Sequence, residues 1–338
     1  MSKQDFPSRK GAEPSAPPKG LLERADALFH FEDAIKGTGL PPLAIPEELI
    51  PPEPQAKAPQ PTPPGGFPAE AAPFATGGEG AAEPAAIPRA RDWCGPRQPL
   101  DRAKMEEAGC LVPGGPITGL AEEFRIVKRE VLDRIRGNRH QAAVPRGNVV
   151  LMASAHSGEG KTYCAINLAV SLAAETGLEV LLVDGDFAQP KIAAALGLTA
   201  EKGLMDALAD PSLAVEDFVV RTDVPSLSVL GAGGGNRLDA EFLSSDRMDA
   251  IIAALVSGRP DRVLLFDSSP LLAASSAAVL ASHAGQVLLV VRADTTTESD
   301  LRDAAALLKG CDTVELLLNG VRFSANGHQY GRYYGKDE

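Results

Sequence analysis

Apolar and polar positions alternate in two rhythms along this 338-residue chain. From about residue 147, short and almost wholly apolar runs recur at 148–153, 179–183, 226–230, 262–266, 286–291 and 314–318. Strands this uniformly apolar are buried on both faces, as in a parallel sheet covered by helices. Helical stretches fall between them, at 165–176, 192–196, 248–257 and 300–309. The alternation predicts one α/β domain over 147–321, a doubly wound and mostly parallel sheet with its ligands at the carboxyl ends of the strands. Just before it, Leu120, Phe124, Val127, Val131 and Ile135 recur at spacings of three and four. They form one narrow stripe of a helix over about 118–137, with Gly137 as its stop. Residues 117–146 thus read as an amphipathic helix and a linker.

The N-terminal third has neither rhythm. Of 28 prolines, 22 fall in residues 1–116. Stretches such as Pro51-Pro52-Glu53-Pro54 hold neither helix nor central strand. Residues 1–116 read as a largely disordered, proline-rich region, with 38 to about 90 partly polyproline. Leu21, Leu22, Ala25, Leu28 and Phe29 predict a short amphipathic helix near 20–36, either a docking helix or one without a role.

Lys and Arg number 33 against 45 Asp and Glu, a net charge of -12. That balance argues against general nucleic-acid binding, which needs a surplus of Lys and Arg. Cys94, Cys110, Cys164 and Cys311 contain no CxxC pair, so neither a disulfide framework nor a zinc site is expected and a reducing cytoplasm fits. Residues 1–20 show no signal peptide, and the apolar run 271–281 is too short to cross a bilayer. The expectation is a soluble chain that reaches a membrane only through a partner or a short anchor.

The first strand runs into Ala155-His156-Ser157-Gly158-Glu159-Gly160-Lys161-Thr162, and a helix follows. This meets GxxxxGK(S/T) with Ala155 at the first glycine position. Glycine-permitted turns aim backbone N–H groups at β- and γ-phosphates, and the helix N-terminus adds to the field. Lys161 supplies a point charge to the moving phosphate, and the Thr162 hydroxyl suits Mg²⁺. Two further apolar strands end in carboxylates: Asp184-Gly185-Asp186 and Asp267-Ser268-Ser269-Pro270. A single such Asp often caps the next helix. Two, beside a phosphate loop, favour a metal held by one or two carboxylates plus phosphate oxygens.

The loop Ser-Gly-Glu-Gly-Lys-Thr, the apolar run before Asp-x-Asp and the apolar run before Asp-x-x-Pro together resemble the bacterial tyrosine kinases, autokinases of capsule and exopolysaccharide synthesis. The likeness covers residues 117–338 and is nearest to the exosortase-associated subgroup, whose helix before the loop is similar to Glu122–Arg129. It implies a phosphate-loop ATPase fold of the deviant MinD/ParA-like type, with ATP and Mg²⁺. Thr162 and Asp186 would hold the metal, with Asp267 holding it directly or through water. Lys161, Asp184, Asp186 and Asp267 form the catalytic set, Asp184 being the candidate to orient or deprotonate a phenol. Ser157, Gly158, Glu159, Gly160, Lys161, Thr162 and Tyr163 would line the nucleotide, with Arg292 and Asn319 near the adenine.

Tyr330, Tyr333 and Tyr334 lie in the last nine residues of a chain with four tyrosines. Residues 322–338 read as a flexible tail, and the resemblance makes the three tyrosines its autophosphorylation cluster. From Val321 to Tyr330 the chain could extend roughly 30 Å at 3.3–3.6 Å per residue. That serves transfer within one subunit or between two; the family implies transfer in a ring. Its subunit-joining Glu-x-x-Arg-x-x-Arg falls on Glu122, Arg125 and Lys128, where Lys replaces an Arg and cannot make the same bidentate pair. Ser157 also stands where the family often has Pro, and no Arg follows Asp186 near 187–189. The implied partners are the chain itself, a separate membrane polysaccharide copolymerase and a phosphotyrosine phosphatase, at the inner face of the membrane. Two alternatives are a MinD/ParA-type ATPase switch, against which His156 stands in place of a signature Lys, and a non-catalytic ATP-binding scaffold.

Overall fold

The computed structural model describes residues 90–234 and 239–321. The helix expected at 20–36, most of the proline-rich region and the tyrosine tail lie outside them.

Seven strands form one sheet: β1 (Val149–Ser154), β2 (Glu179–Gly185), β3 (Val219–Arg221), β4 (Leu227–Leu230), β5 (Arg262–Ser268), β6 (Gln286–Arg292) and β7 (Val314–Asn319). Their order is β3-β4-β2-β5-β1-β6-β7. Every pairing is parallel except β3 with β4. Odd and even positions of each inner strand feed two separate cores. Leu151, Val183 and Phe266 face one, while Met152, Leu182 and Leu265 face the other. This two-sided burial explains why the strands read as continuous apolar runs.

The second core is covered by α1 (Arg102–Glu107), α2 (Gly119–Arg136), α3 (Lys161–Ala173) and α4 (Ile192–Leu196). The first core is covered by α5 (Leu204–Ala209), α6 (Asp239–Leu243), α7 (Asp246–Val256), α8 (Ser275–His283) and α9 (Glu298–Leu307). The stripe on α2 is real. Phe124 and Val131 are buried, the Thr118 side chain caps the first turn, and Gly137 ends the helix at φ 70°. Ser171 of α3 donates to the Phe124 carbonyl at 3.2 Å. Arg134 pairs with Glu315 of β7 at 2.5 Å, which fixes the far end.

Residues 90–116 differ from expectation. Their prolines placed them with the extended region, yet they form a strap packed on the domain. Leu100 and Met105 are buried in the second core. Arg97 bridges to Arg221 of β3. Trp93 lies over the guanidinium of Arg262, 3.7 Å from centroid to carbon. Arg262 is fully buried; it pairs with Glu179 at 2.9 Å and donates to the Leu255 carbonyl at 2.6 Å. Proline bars regular structure but not burial, and a few apolar anchors suffice to hold an irregular strap. Removing a buried Trp ring costs about 3–5 kcal/mol, and a desolvated cation–π contact adds to it. Trp93→Ala should therefore lower the unfolding free energy by about 3 kcal/mol in urea melts followed by circular dichroism. A change near zero would show the strap to be no part of the cooperative unit.

Candidate active site

The carboxyl ends of β1, β2, β5, β6 and β7 converge on the loop 155–162. β1 lies between β5 and β6, where the chain's winding reverses, the usual ligand crevice of such sheets. Gly158 and Gly160 have φ of 83° and 100°, left-handed values that glycine adopts without strain. A Cβ on Gly160 would also lie 2.1 Å from the Asn319 amide nitrogen.

The loop is tied from within and from one side. Ser154 Oγ donates to the His156 carbonyl at 2.7 Å. The His156 N–H donates to Glu159 Oε2 at 2.8 Å, and Thr296 Oγ1 donates to Glu159 Oε1. Arg292 donates to the Gly158 carbonyl, and Asn319 Nδ2 to the Glu159 carbonyl, both at 2.8 Å. His156 itself pairs with Asp300 of α9 at 3.2 Å. Among the described residues, no acceptor is bonded to the main-chain N–H groups from Ser157 to Thr162. These groups, at the start of a thirteen-residue helix, make an anion cradle.

Lys161 is 7% exposed. Burial lowers its pKa, and Asp267, Asp186 and Glu159 oppose that shift. Asp267, at the tip of β5, is 1% exposed, and neither carboxylate oxygen has a hydrogen-bond partner. Burial pushes its pKa up to about 7. The Thr162 hydroxyl and Lys161 oppose that rise, although the hydroxyl's geometry falls short of a hydrogen bond. A doubly orphaned buried carboxylate costs free energy unless a cation meets it. That fits a metal brought in with phosphate. Among the described residues, no group of three or more His, Cys, Asp and Glu side chains gathers; Mg²⁺ needs only one or two carboxylates, keeping water and phosphate oxygens as its other ligands. Asp186 is half-exposed at the same tip, accepting from Ser269 Oγ at 2.9 Å. Thr162, Asp186 and Asp267 thus share one corner beside Lys161.

Other expected site residues sit differently. Asp184 accepts from the N–H groups of Asp186, Lys191 and Ile192 at 3.2, 2.9 and 3.0 Å. Burial raises its pKa against those bonds. It anchors the turn that presents Asp186, and its oxygens are engaged by backbone rather than open to a phenol. Tyr163 points to the strap, its hydroxyl donating to the Gly109 carbonyl at 3.0 Å. Asn167, one turn later, accepts from the Leu111 N–H at 2.6 Å, a buried link between strap and nucleotide helix that no motif marked. Arg292 and Asn319 bond the loop itself. On α2, Glu122 pairs with Arg125, and Lys128 pairs with Glu175 of this same chain at 2.9 Å. Ile126, beside them, is exposed.

Residues 150–281 match the family model described as the CobQ/CobB/MinD/ParA nucleotide binding domain. "Tyrosine-protein kinase YwqD" of Bacillus subtilis (strain 168) is 32% identical over 218 residues, which are 64% of this chain and 90% of that protein. "Putative tyrosine-protein kinase AmsA" of Erwinia amylovora is 32% identical over 205 residues, 60% of this chain but 28% of its own length. The chain thus spans about a quarter of the longer curated relatives it matches. Among solved structures, the chimerical protein CapA2B2 shares the fold at a TM-score of 0.51 and 22% identity, over 68% of this chain and 93% of that one. With nearly the whole of a tyrosine-protein kinase matched at this identity, on a MinD/ParA-type sheet whose loop and strand-tip acids converge, the chain belongs to the bacterial tyrosine kinases.

Proposed function

We propose that this chain is a protein-tyrosine autokinase that moves the γ-phosphoryl group of ATP onto Tyr330, Tyr333 and Tyr334. The orphaned carboxylate of Asp267 beside the unpartnered loop N–H groups carries the nucleotide half of this reading. The tyrosine half is supported by the family and by three tyrosines in the last nine residues. The loop N–H groups bind the β- and γ-phosphates. Lys161 neutralises charge on the transferring group, which matters most because a loose phosphoryl transition state places its charge on peripheral oxygens. Thr162, Asp186 and Asp267 would hold Mg²⁺, which supplies further neutralisation when bound. Asp184 positions Asp186 through the backbone. A phenol has a pKa near 10, but a loose transition state asks little of a base, so none need be assigned.

Phosphorylation adds about -1.5 to -2 charge per tyrosine at pH 7. On a chain of net charge -12, repulsion would loosen an oligomer, and cycling through a phosphotyrosine phosphatase would pace exopolysaccharide synthesis. No helix among the described residues is long and apolar enough to cross a membrane; attachment to the inner face through a separate membrane copolymerase is part of the same proposal and is suggested by the family. In the proposed ring, the exposed Ile126 and Arg125, the latter paired with Glu122 along α2, would face the neighbour, while Lys128 is tied to Glu175 of the same subunit.

The tail is tested by replacing Tyr330, Tyr333 and Tyr334 together with Phe. We expect phosphotyrosine in protein incubated with Mg·ATP to fall below a tenth of wild type, with nucleotide affinity unchanged. Undiminished phosphotyrosine would move the acceptor elsewhere. ATP hydrolysis with no phosphotyrosine in wild type would instead favour the ATPase switch.

A further inference from the structure

Arg292 and Asn319 end neighbouring strands and are register partners across β6 and β7. They form one wall of the phosphate loop. Each donates at 2.8 Å to a loop carbonyl, Arg292 to Gly158 and Asn319 to Glu159. In a planar trans peptide the C=O of one residue points opposite to the N–H of the next. All described peptide bonds are trans. Drawing the Gly158 carbonyl to the wall therefore turns the Glu159 N–H away from it. Drawing the Glu159 carbonyl to the same wall does the same for the Gly160 N–H. Ser154 applies this logic once more, since its bond to the His156 carbonyl sets the Ser157 N–H.

The wall is braced. Thr296 Oγ1 accepts from the Arg292 N–H at 3.0 Å while donating to the Glu159 carboxylate, and the Ala293 N–H bonds the Asn319 carbonyl at 2.9 Å. Glycines at 158 and 160 make the loop turn possible but also leave it free to adopt other conformers. Without the two side-chain donors, those peptide planes could rotate and point carbonyl oxygens at the phosphates, where they would repel them.

We infer that Arg292 and Asn319 are positioning residues that hold the loop N–H groups in phosphate-binding orientation, rather than contacts that read the base. This deepens the nucleotide reading above and rests on it. A positioning role acts on the phosphates alone, so its loss is indifferent to the base. A base contact behaves in the opposite way.

The test is isothermal titration calorimetry on the full chain with Mg·ATP, Mg·GTP and Mg·tripolyphosphate. Arg292→Met and Asn319→Ala should each weaken all three by about tenfold, the size expected for a charged or buried hydrogen bond. The ATP-to-GTP ratio should stay at the wild-type value. Arg292→Lys, which keeps one donor, should recover part of the loss. Arg292 is exposed, so Arg292→Met should melt near wild type without ligand, and two variants on separate strands guard against misfolding of either. Unchanged tripolyphosphate affinity with a collapsed ATP-to-GTP ratio would overturn the inference in favour of base contacts. Three unchanged affinities would overturn it as well. A wild-type chain that binds none of the three would overturn the nucleotide reading itself, and this inference with it.

Discussion

Lys161→Met should abolish tyrosine autophosphorylation, with a loss of at least about 10²–10³-fold in the single-turnover rate, the scale of removing one preorganised charge from a transition state. The side chain is buried, close in length to Met and flanked by Asp267, Asp186 and Glu159. Taking away its charge leaves those acids without a counter-ion, yet the fold should survive, because Asp267 can take up a proton in response. The variant should thus melt within a few degrees of wild type while losing transfer. Mg·ATP affinity should fall by a smaller factor than the rate, since the loop N–H groups still bind phosphate and the lysine acts most strongly on the charge that develops during transfer. A loss of Mg·ATP affinity with the rate at saturating Mg·ATP unchanged would instead make Lys161 a uniform binding residue.

Asp267→Asn should produce the second large effect, with opposite signs on stability and activity. In the unliganded protein the folded-state pKa of Asp267 is about 7, against an ordinary value of 3.8. Between those values the folded state keeps a proton that the unfolded chain has released. Stability therefore falls as pH rises across that window and levels off above it. At one pKa unit per 1.36 kcal/mol the contribution is at most about 4 kcal/mol. Asp184, raised by burial, acts in the same direction and also raises Asp267, so the comparison of wild type with variant reads Asp267 together with its coupling to Asp184. Without ligand, Asp267→Asn should melt several degrees above wild type at pH 8, by a smaller margin at pH 5, and close to it only near pH 4. With Mg·ATP the order should reverse, since a bound cation meets the wild-type carboxylate and leaves nothing for the amide. Stabilisation by Mg·ATP should be large in wild type and nearly absent in the variant. A variant less stable than wild type at pH 8 without ligand would show that the carboxylate is satisfied in a way the structure does not show.

Much of the fold and of the phosphate loop was legible from sequence, for a physical reason. A strand buried on both faces must be apolar at every position, so five of the seven strands stood out for that reason; β7 read the same way but is a part-exposed edge strand, with Leu316 and Leu318 open. Two glycines, a lysine and a threonine at fixed spacing have few other uses after such a strand. β3 was missed because it has three residues at an antiparallel edge. α8 was missed because its Ala/Ser-rich stretch carries no periodic contrast, being buried against the first core. The strap was hidden by its prolines. Its anchor is a contact between Trp93 and Arg262, distant in sequence, and no local pattern announces such a pair.

The roles of individual site residues were less legible than their presence. Asp184 and Asp186 are two residues apart and chemically identical. Only the positions of the Lys191 and Ile192 N–H groups make one an anchor and leave the other at the cleft. Tyr163 follows Thr162 directly, but a helix turns about 100° per residue, which takes its ring to the strap. The family resemblance puts Arg292 and Asn319 near the adenine. That they bond the loop's carbonyls depends on the register of β6 with β7, which composition does not encode.

The most direct measurement follows the phosphoryl group itself. Full-length protein is incubated with Mg²⁺ and ATP labelled in its γ-phosphate, and peptides spanning residues 326–338 are analysed by mass spectrometry beside the Lys161→Met variant. The account predicts labelled phosphate on Tyr330, Tyr333 and Tyr334 in wild type and none in the variant. Label found only as inorganic phosphate with an unmodified tail, or tail phosphotyrosine that persists in Lys161→Met, would contradict it.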